Sequence, residues 1–108
     1  MYFPTSSVLI EFLILAVLDG EDSYGYEISQ TIKLIANIKE STLYPILKKL
    51  EKSRFLTTYS QEFQGRKRKY YSLTDLGREQ LIRLKEDWRV YTDTIDGIIE
   101  GGIRHDKN

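Results

Sequence analysis

The sequence predicts an α+β fold in which three helices are followed by a two-stranded hairpin and one long C-terminal helix. Three observations predict it. Apolar residues recur at helical spacing in three N-terminal segments, two runs rich in Thr and aromatics flank a Gly-containing turn, and an apolar seam with heptad steps follows. A chain of 108 residues supports one modest core.

The first helix starts near Ser6 or Ser7, both good caps, and ends before Asp19-Gly20. It is apolar nearly all round, with Leu9, Phe12 and Leu13 on faces that its own core cannot all cover. Part of the cover is therefore expected from a second subunit. The second helix spans about Tyr24 to Ala36, capped by Asp22 or Ser23, with Ile28, Ile32 and Ile35 as its buried stripe.

The third helix spans about Glu40 to Arg54, and its portion from Glu40 to Lys52 carries the clearest amphipathic pattern. With Leu43 at zero, Leu47, Leu50 and Ile46 fall at about 40°, 340° and 300°, which marks the core face. Ser41, Pro45, Lys48 and Lys52 lie opposite, and Tyr44 and Lys49 flank them. Pro45 falls near the first turn, where a missing N–H costs little. No good cap precedes this helix; Asn37 or Lys39 holds the place.

Phe55 to Phe63 and Arg68 to Leu73 read as strands, with Gln64-Gly65-Arg66-Lys67 as the turn. The last helix opens on the cap Thr74 and runs to about Glu100, before Gly101-Gly102. Leu81, Leu84, Trp88, Tyr91, Ile95 and Ile98 step by 3 and 4 residues in turn. At its full length of about 40 Å, this helix overshoots any core the preceding residues can build, so a partner helix is expected on its seam. Ile103 to Asn108, including His105, read as a frayed tail. The expected organisation is a unit over residues 1–73 continuous with a dimerisation helix and tail over 74–108.

Composition excludes several classes. There is no Cys, so disulfides are absent and zinc would lack its usual ligands; no metal site or cofactor is expected. The absence of Cys fits a cytoplasmic protein. The apolar run Val8 to Leu18 is too short to cross a membrane, where about 20 residues are needed. No Lys or Arg precedes it and Asp19-Gly20-Glu21-Asp22 follows it, against a signal peptide. One His, no phosphate-cradling loop and no paired carboxylates leave nothing to carry catalysis, so no enzyme is expected.

Net charge is zero, but its distribution is not even. Residues 1–38 hold one Lys and five acids. By contrast, Lys39, Lys48, Lys49, Lys52 and Arg54, and then Arg66, Lys67, Arg68 and Lys69, fall in the middle third, against Glu40, Glu51 and Glu62. Local field decides where a polyanion docks. Two helices with a short connection followed by a basic hairpin make a winged helix-turn-helix. A helix fits the major groove and must offer donors there, which Ser41, Thr42, Tyr44, Lys48 and Lys49 supply. Arg66, Lys67, Arg68 and Lys69 suit a wing on phosphates or in a minor groove.

The chain resembles the PadR family of transcriptional regulators, in its short form with one C-terminal helix. The resemblance rests on Gly25-Tyr26-Glu27-Ile28; Ser41-Thr42-Leu43-Tyr44-Pro45-Ile46-Leu47-Lys48-Lys49-Leu50-Glu51; Gly65-Arg66-Lys67-Arg68-Lys69-Tyr70-Tyr71; and Leu73-Thr74-Asp75-Leu76-Gly77, in that order. It implies a homodimer, usually a repressor of a roughly palindromic double-stranded DNA operator, with the first and last helices making the dimer contact. The interface expected from it comprises Leu9, Phe12, Leu13, Leu84, Trp88, Tyr91, Ile95 and Ile98. The resemblance also implies effector control: in multidrug-sensing short members, flat aromatic ligands sit between tryptophans of the last helix, and Trp88 is the match. Lys39 stands where a Ser or Thr cap is common, and Lys85 where a drug sensor can carry an aromatic.

Some residues carry two readings. Tyr44 is either a DNA contact or a packing residue against the second helix. Trp88 packs a dimer seam or contacts a ligand. Tyr26 and Glu27 read as structural, with Glu27 as a brace for a basic residue. Zero net charge and the aromatics Tyr59, Phe63 and Tyr70 support an alternative function, a winged-helix protein-interaction module without sequence-specific DNA binding.

Overall fold

The computed structural model describes residues 5–101. The elements are α1 (Ser7–Gly20), β1 (Ser23–Tyr24), α2 (Gly25–Ile32), α3 (Glu40–Lys52), β2 (Leu56–Phe63), β3 (Arg66–Leu73) and α4 (Asp75–Ile99). The expected tail, with His105, lies outside the described residues.

Ser6 caps α1 by accepting from the Leu9 backbone N–H at 3.2 Å. Ile10, Ile14, Leu15 and Leu18 face inward and meet Ile28 and Ile32 of α2 and Leu43, Leu47 and Leu50 of α3 in one core. The core face expected for α3 is therefore the one buried, with Ile46 at its margin. Lys39 holds the start of α3 without a side-chain capping bond.

The second helix is shorter than its pattern predicts. Ser23 and Tyr24 form β1, which pairs antiparallel with Tyr71 and Tyr70 of β3, so the sheet has three strands in the order β1-β3-β2. Neither Asp22 nor Ser23 caps α2. Tyr24 holds that position without a side-chain bond, Asp22 accepts from the Tyr59 hydroxyl, and Ser23 donates to Glu27. Glu27 thus braces a buried serine rather than a basic residue. At its other end α2 stops at Ile32, and Ile35 is exposed while Ala36 and Ile38 are buried. Both side chains join the core from the segment after the helix.

The junction from α3 to β2 is made by Arg54 in the left-handed region, φ 66°. Phe55 N–H donates to the Leu50 carbonyl and Arg54 N–H to that of Glu51, the two bonds of a Schellman turn. Glycine usually takes this place, so the stop carries no mark in the sequence. The hairpin turn is also tighter than expected. Only Gln64 and Gly65 lie outside the strands, at φ 51° and 80°, the two-residue geometry that suits strand twist. Arg66 and Lys67 therefore belong to β3.

Thr74 caps α4, accepting from Gly77 N–H at 2.9 Å, and its hydroxyl hydrogen is directed at the Arg54 carbonyl, 2.7 Å away. Leu81 is buried in the chain's own core and Leu84 packs at its edge. Beyond them α4 runs clear of the core, leaving Trp88, Tyr91 and Ile98 exposed and Ile95 half-buried. Among the described residues, no helix is long and apolar enough to cross a membrane.

Candidate nucleic-acid interface

Burial of Leu43, Leu47 and Leu50 turns the opposite face of α3 to solvent. Ser41, Thr42, Tyr44, Lys48, Lys49 and Lys52 are all exposed there. Pro45, Lys48, Lys49, Lys52 and Ser53 line a shallow groove along the helix. Tyr44 lies against the first residue of α2. A Cβ built on Gly25 would stand 2.7 Å from the Tyr44 ring and 2.9 Å from its hydroxyl. Gly25 is thus the bare surface on which Tyr44 rests, with the ring still 43% exposed. Both readings of Tyr44 fit this geometry: it packs on α2 and presents its hydroxyl at the same surface.

The wing cations do not act as one cluster. Strand alternation sends them to two faces. Lys67 and Lys69 share the face of the buried Tyr71 and Leu73, toward α3, and Lys69 stands 3.7 Å from Glu51. Arg66 and Arg68 share the outer face with Tyr70. There the Arg68 guanidinium is sandwiched between the rings of Tyr24 and Phe63, 4.1 and 4.0 Å from their centroids. Tyr59 and Tyr70 stack at 5.5 Å, and Tyr24 meets Tyr70 edge-on at 5.6 Å. The aromatics of the wing are thus organised around Arg68, which is half-buried.

The wing is also tied to the loop after α1. Tyr59 donates to Asp22 at 2.7 Å. That hydrogen bond, with partial burial, pushes the Tyr59 hydroxyl above the usual tyrosine range. Burial does the same for Tyr71, partly offset by the neighbouring Lys69.

Two expected contact lysines are held by acids of the chain itself. Lys49 pairs with Glu11 of α1 at 2.8 Å, and Lys69 with Glu51. Lys48, Lys52, Arg66 and Lys67 make no ion pair among the described residues. Nothing in the sequence marks these side-chain partnerships of Asp22, Tyr24, Glu11 and Glu51. Asp22 resembles a helix cap, a two-residue strand has no period, and ion pairs between distant elements leave no local trace.

The residues expected at a dimer contact divide. Leu9, Phe12, Leu84, Trp88 and Tyr91 gather around an open cleft of about 410 Å³ between α1 and α4. Phe12 and Tyr91 each stand 6.0 Å from the Trp88 ring, and Asp87 is the charged residue on the lining. Phe12 and Leu84 also pack against the chain's own core, Leu13 packs there without lining the cleft, and Ile95 and Ile98 lie farther along α4.

A basic helix in a tri-helical core, flanked by a two-stranded basic wing, defines the winged-helix class. The PadR-like transcriptional regulator profile matches residues 14–83, and the chain belongs to that family. It is a family of transcriptional regulators, not of enzymes. The crystal structure of smu.1704 from Streptococcus mutans UA159 is 68% identical, with a TM-score of 0.93, over 98% of this chain and 100% of that one. A PadR family regulator from Clostridium difficile R20291 is 32% identical with a TM-score of 0.78, over 83% of this chain and 97% of that one. Bacillus subtilis PadR, a negative transcriptional regulator, is 33% identical over 76% of this chain and 46% of its own length. Its crystal structure in complex with operator DNA is 28% identical with a TM-score of 0.63, over 93% of this chain and 50% of that one. The chain thus spans about half the length of that regulator.

Proposed function

We propose that this protein is a cytoplasmic, homodimeric repressor that binds a roughly palindromic double-stranded operator. Ser41, Thr42, Tyr44 and Lys48 of α3 face the major groove, with Lys49 joining them where it is released from Glu11, and Arg66, Lys67, Arg68 and Lys69 place the wing on the flanking backbone. The observation that carries this reading is the exposed basic face of α3 beside a basic wing, in a chain whose other segments are acidic. The likeness to Bacillus subtilis PadR, solved with operator DNA, supports it. Pairing through α1 and α4 would cover Trp88, Tyr91 and Ile98 and set two copies of α3 in successive major grooves, about 34–36 Å apart. The cleft beside Trp88 is where a flat aromatic effector would enter.

Anisotropy titration of promoter duplexes from the protein's own operon against salt tests the proposal. Tight binding that falls steeply with salt is expected. Arg66→Ala with Lys67→Ala should flatten the salt slope by about 0.9 per lost phosphate contact. Affinity equal to that for random DNA and flat across salt would sink it. The exposed Tyr59 and Phe63 favour the rival protein-interaction module. On that reading, replacing Lys48, Lys49, Arg66 and Arg68 by Ala spares function.

A further inference from the structure

The lysines of α3 differ in one respect that their sequence does not reveal. Lys48 and Lys52 extend into solvent with no ion pair among the described residues, whereas the Lys49 ammonium donates to Glu11 Oε2 at 2.8 Å. The two ends of that bridge are unequally placed. The Lys49 side chain is 64% exposed and that of Glu11 only 17%. If Lys49 turned to a DNA phosphate, it would leave Glu11, the less exposed end of the bridge, without its cation. Separating the two forfeits a short charge-assisted hydrogen bond on the acid's side. The bridge therefore opposes the transfer of Lys49 to another anion.

Glu11 also has a telling address. It sits on α1, between Leu9 and Phe12, which line the cleft with Trp88. One helix thus carries the cleft wall on one side and the restraint on α3 on another. A shift of α1 at the cleft moves the carboxylate that holds Lys49.

We infer that Glu11 is a restraining residue that withholds Lys49 from DNA, so that α1 sets the operator affinity of α3. The inference rests on the DNA-binding reading proposed above. Unlike the Lys69–Glu51 contact, which is longer and has the more exposed acid, the Glu11 bridge is short and its carboxylate side chain is largely covered.

Glu11→Gln keeps the shape of the side chain and removes its charge. In anisotropy titrations against salt, this variant should bind the duplex more tightly than wild type. Its slope should be steeper by about 0.9 for each released lysine, about 1.8 for a dimer. Between 50 and 200 mM salt it should therefore lose about 12-fold more affinity than wild type loses. Adding Lys49→Met to Glu11→Gln should abolish the gain. Unchanged or weaker binding by folded Glu11→Gln would overturn the inference, because Glu11 would then be idle or would aim Lys49 at DNA.

A second measurement needs neither DNA nor a variant. Competitive acylation of wild-type amines, mapped by mass spectrometry, should label Lys49 more slowly than Lys48 or Lys52. Equal rates would overturn the inference. A wild-type protein that binds no duplex with salt dependence overturns the DNA reading itself, and slow labelling of Lys49 would then locate the failure there rather than in the Glu11 bridge.

Discussion

Replacing Gly25 by Ala tests how the candidate interface is built. The added methyl would sit 2.7 Å from Tyr44 Cε1, against an ordinary carbon–carbon contact of about 3.5–4.0 Å. About 1 Å must be found. The obstacle is the end of a side chain that is 43% exposed, so the ring swings toward solvent while the backbone stays. Moving Tyr44 off its rotamer costs about 0.5–1.5 kcal/mol. Exchange of Gly for Ala in the middle of a helix returns about 0.5–1 kcal/mol, and at Gly25, the first residue of α2, less. Stability should therefore change by less than about 1.5 kcal/mol, a Tm shift of several degrees. Binding should suffer more. A lost hydroxyl contact is worth about 0.5–1.5 kcal/mol, and two protomers double it, so Kd should rise about 5- to 150-fold. Urea denaturation and duplex anisotropy measure the two quantities, with Tyr44→Phe as the control expected to weaken binding in the same direction. Wild-type affinity in both folded variants would refute the assignment of Tyr44 to the DNA surface. A stability loss above about 3 kcal/mol in Gly25→Ala would refute the claim that the ring yields.

Gly77→Ala should behave in the opposite way. Its Cβ would stand 2.2 Å from the Phe55 carbonyl oxygen, which is backbone and cannot swing aside, so urea denaturation should show a loss of about 3 kcal/mol or more. Trp88→Ala should weaken the proposed dimer by about 2 kcal/mol, about 30-fold in Kd, and Ile95→Asp should do the same; sedimentation at falling concentration would show an unchanged dimer if the seam is elsewhere. Tyr59 should ionise above the ordinary value of 10.0, as read from ultraviolet titration by difference from Tyr59→Phe. Because its folded pKa is raised, its contribution to stability is complete below about pH 10 and is lost as pH rises through the folded value. Asp22→Asn should bring the titration back toward that of free tyrosine, and no change would remove the hydrogen bond as its cause.

The sequence by itself determined the three longer helices, because each writes its own local signal. The core face of α3 follows from the spacing of Leu43, Leu47 and Leu50, and the start of α4 from Thr74, whose capping chemistry acts within one turn. The hairpin, the family and the set of exposed basic residues were legible for the same reason. What the tertiary structure alone decided involves residues far apart in the chain. Ser23 and Tyr24 are a strand only because β3 offers them an edge, and that pairing sets the start of α2. The four wing cations, continuous in sequence, part to two faces once the two-residue turn sets the register. Lys48 and Lys49 are neighbours of one type, yet only Lys49 meets an acid, 38 positions away. Periodicity reports which side of an element is buried. It carries no information about which distant side chain will stand opposite, because that contact exists only after the elements have packed.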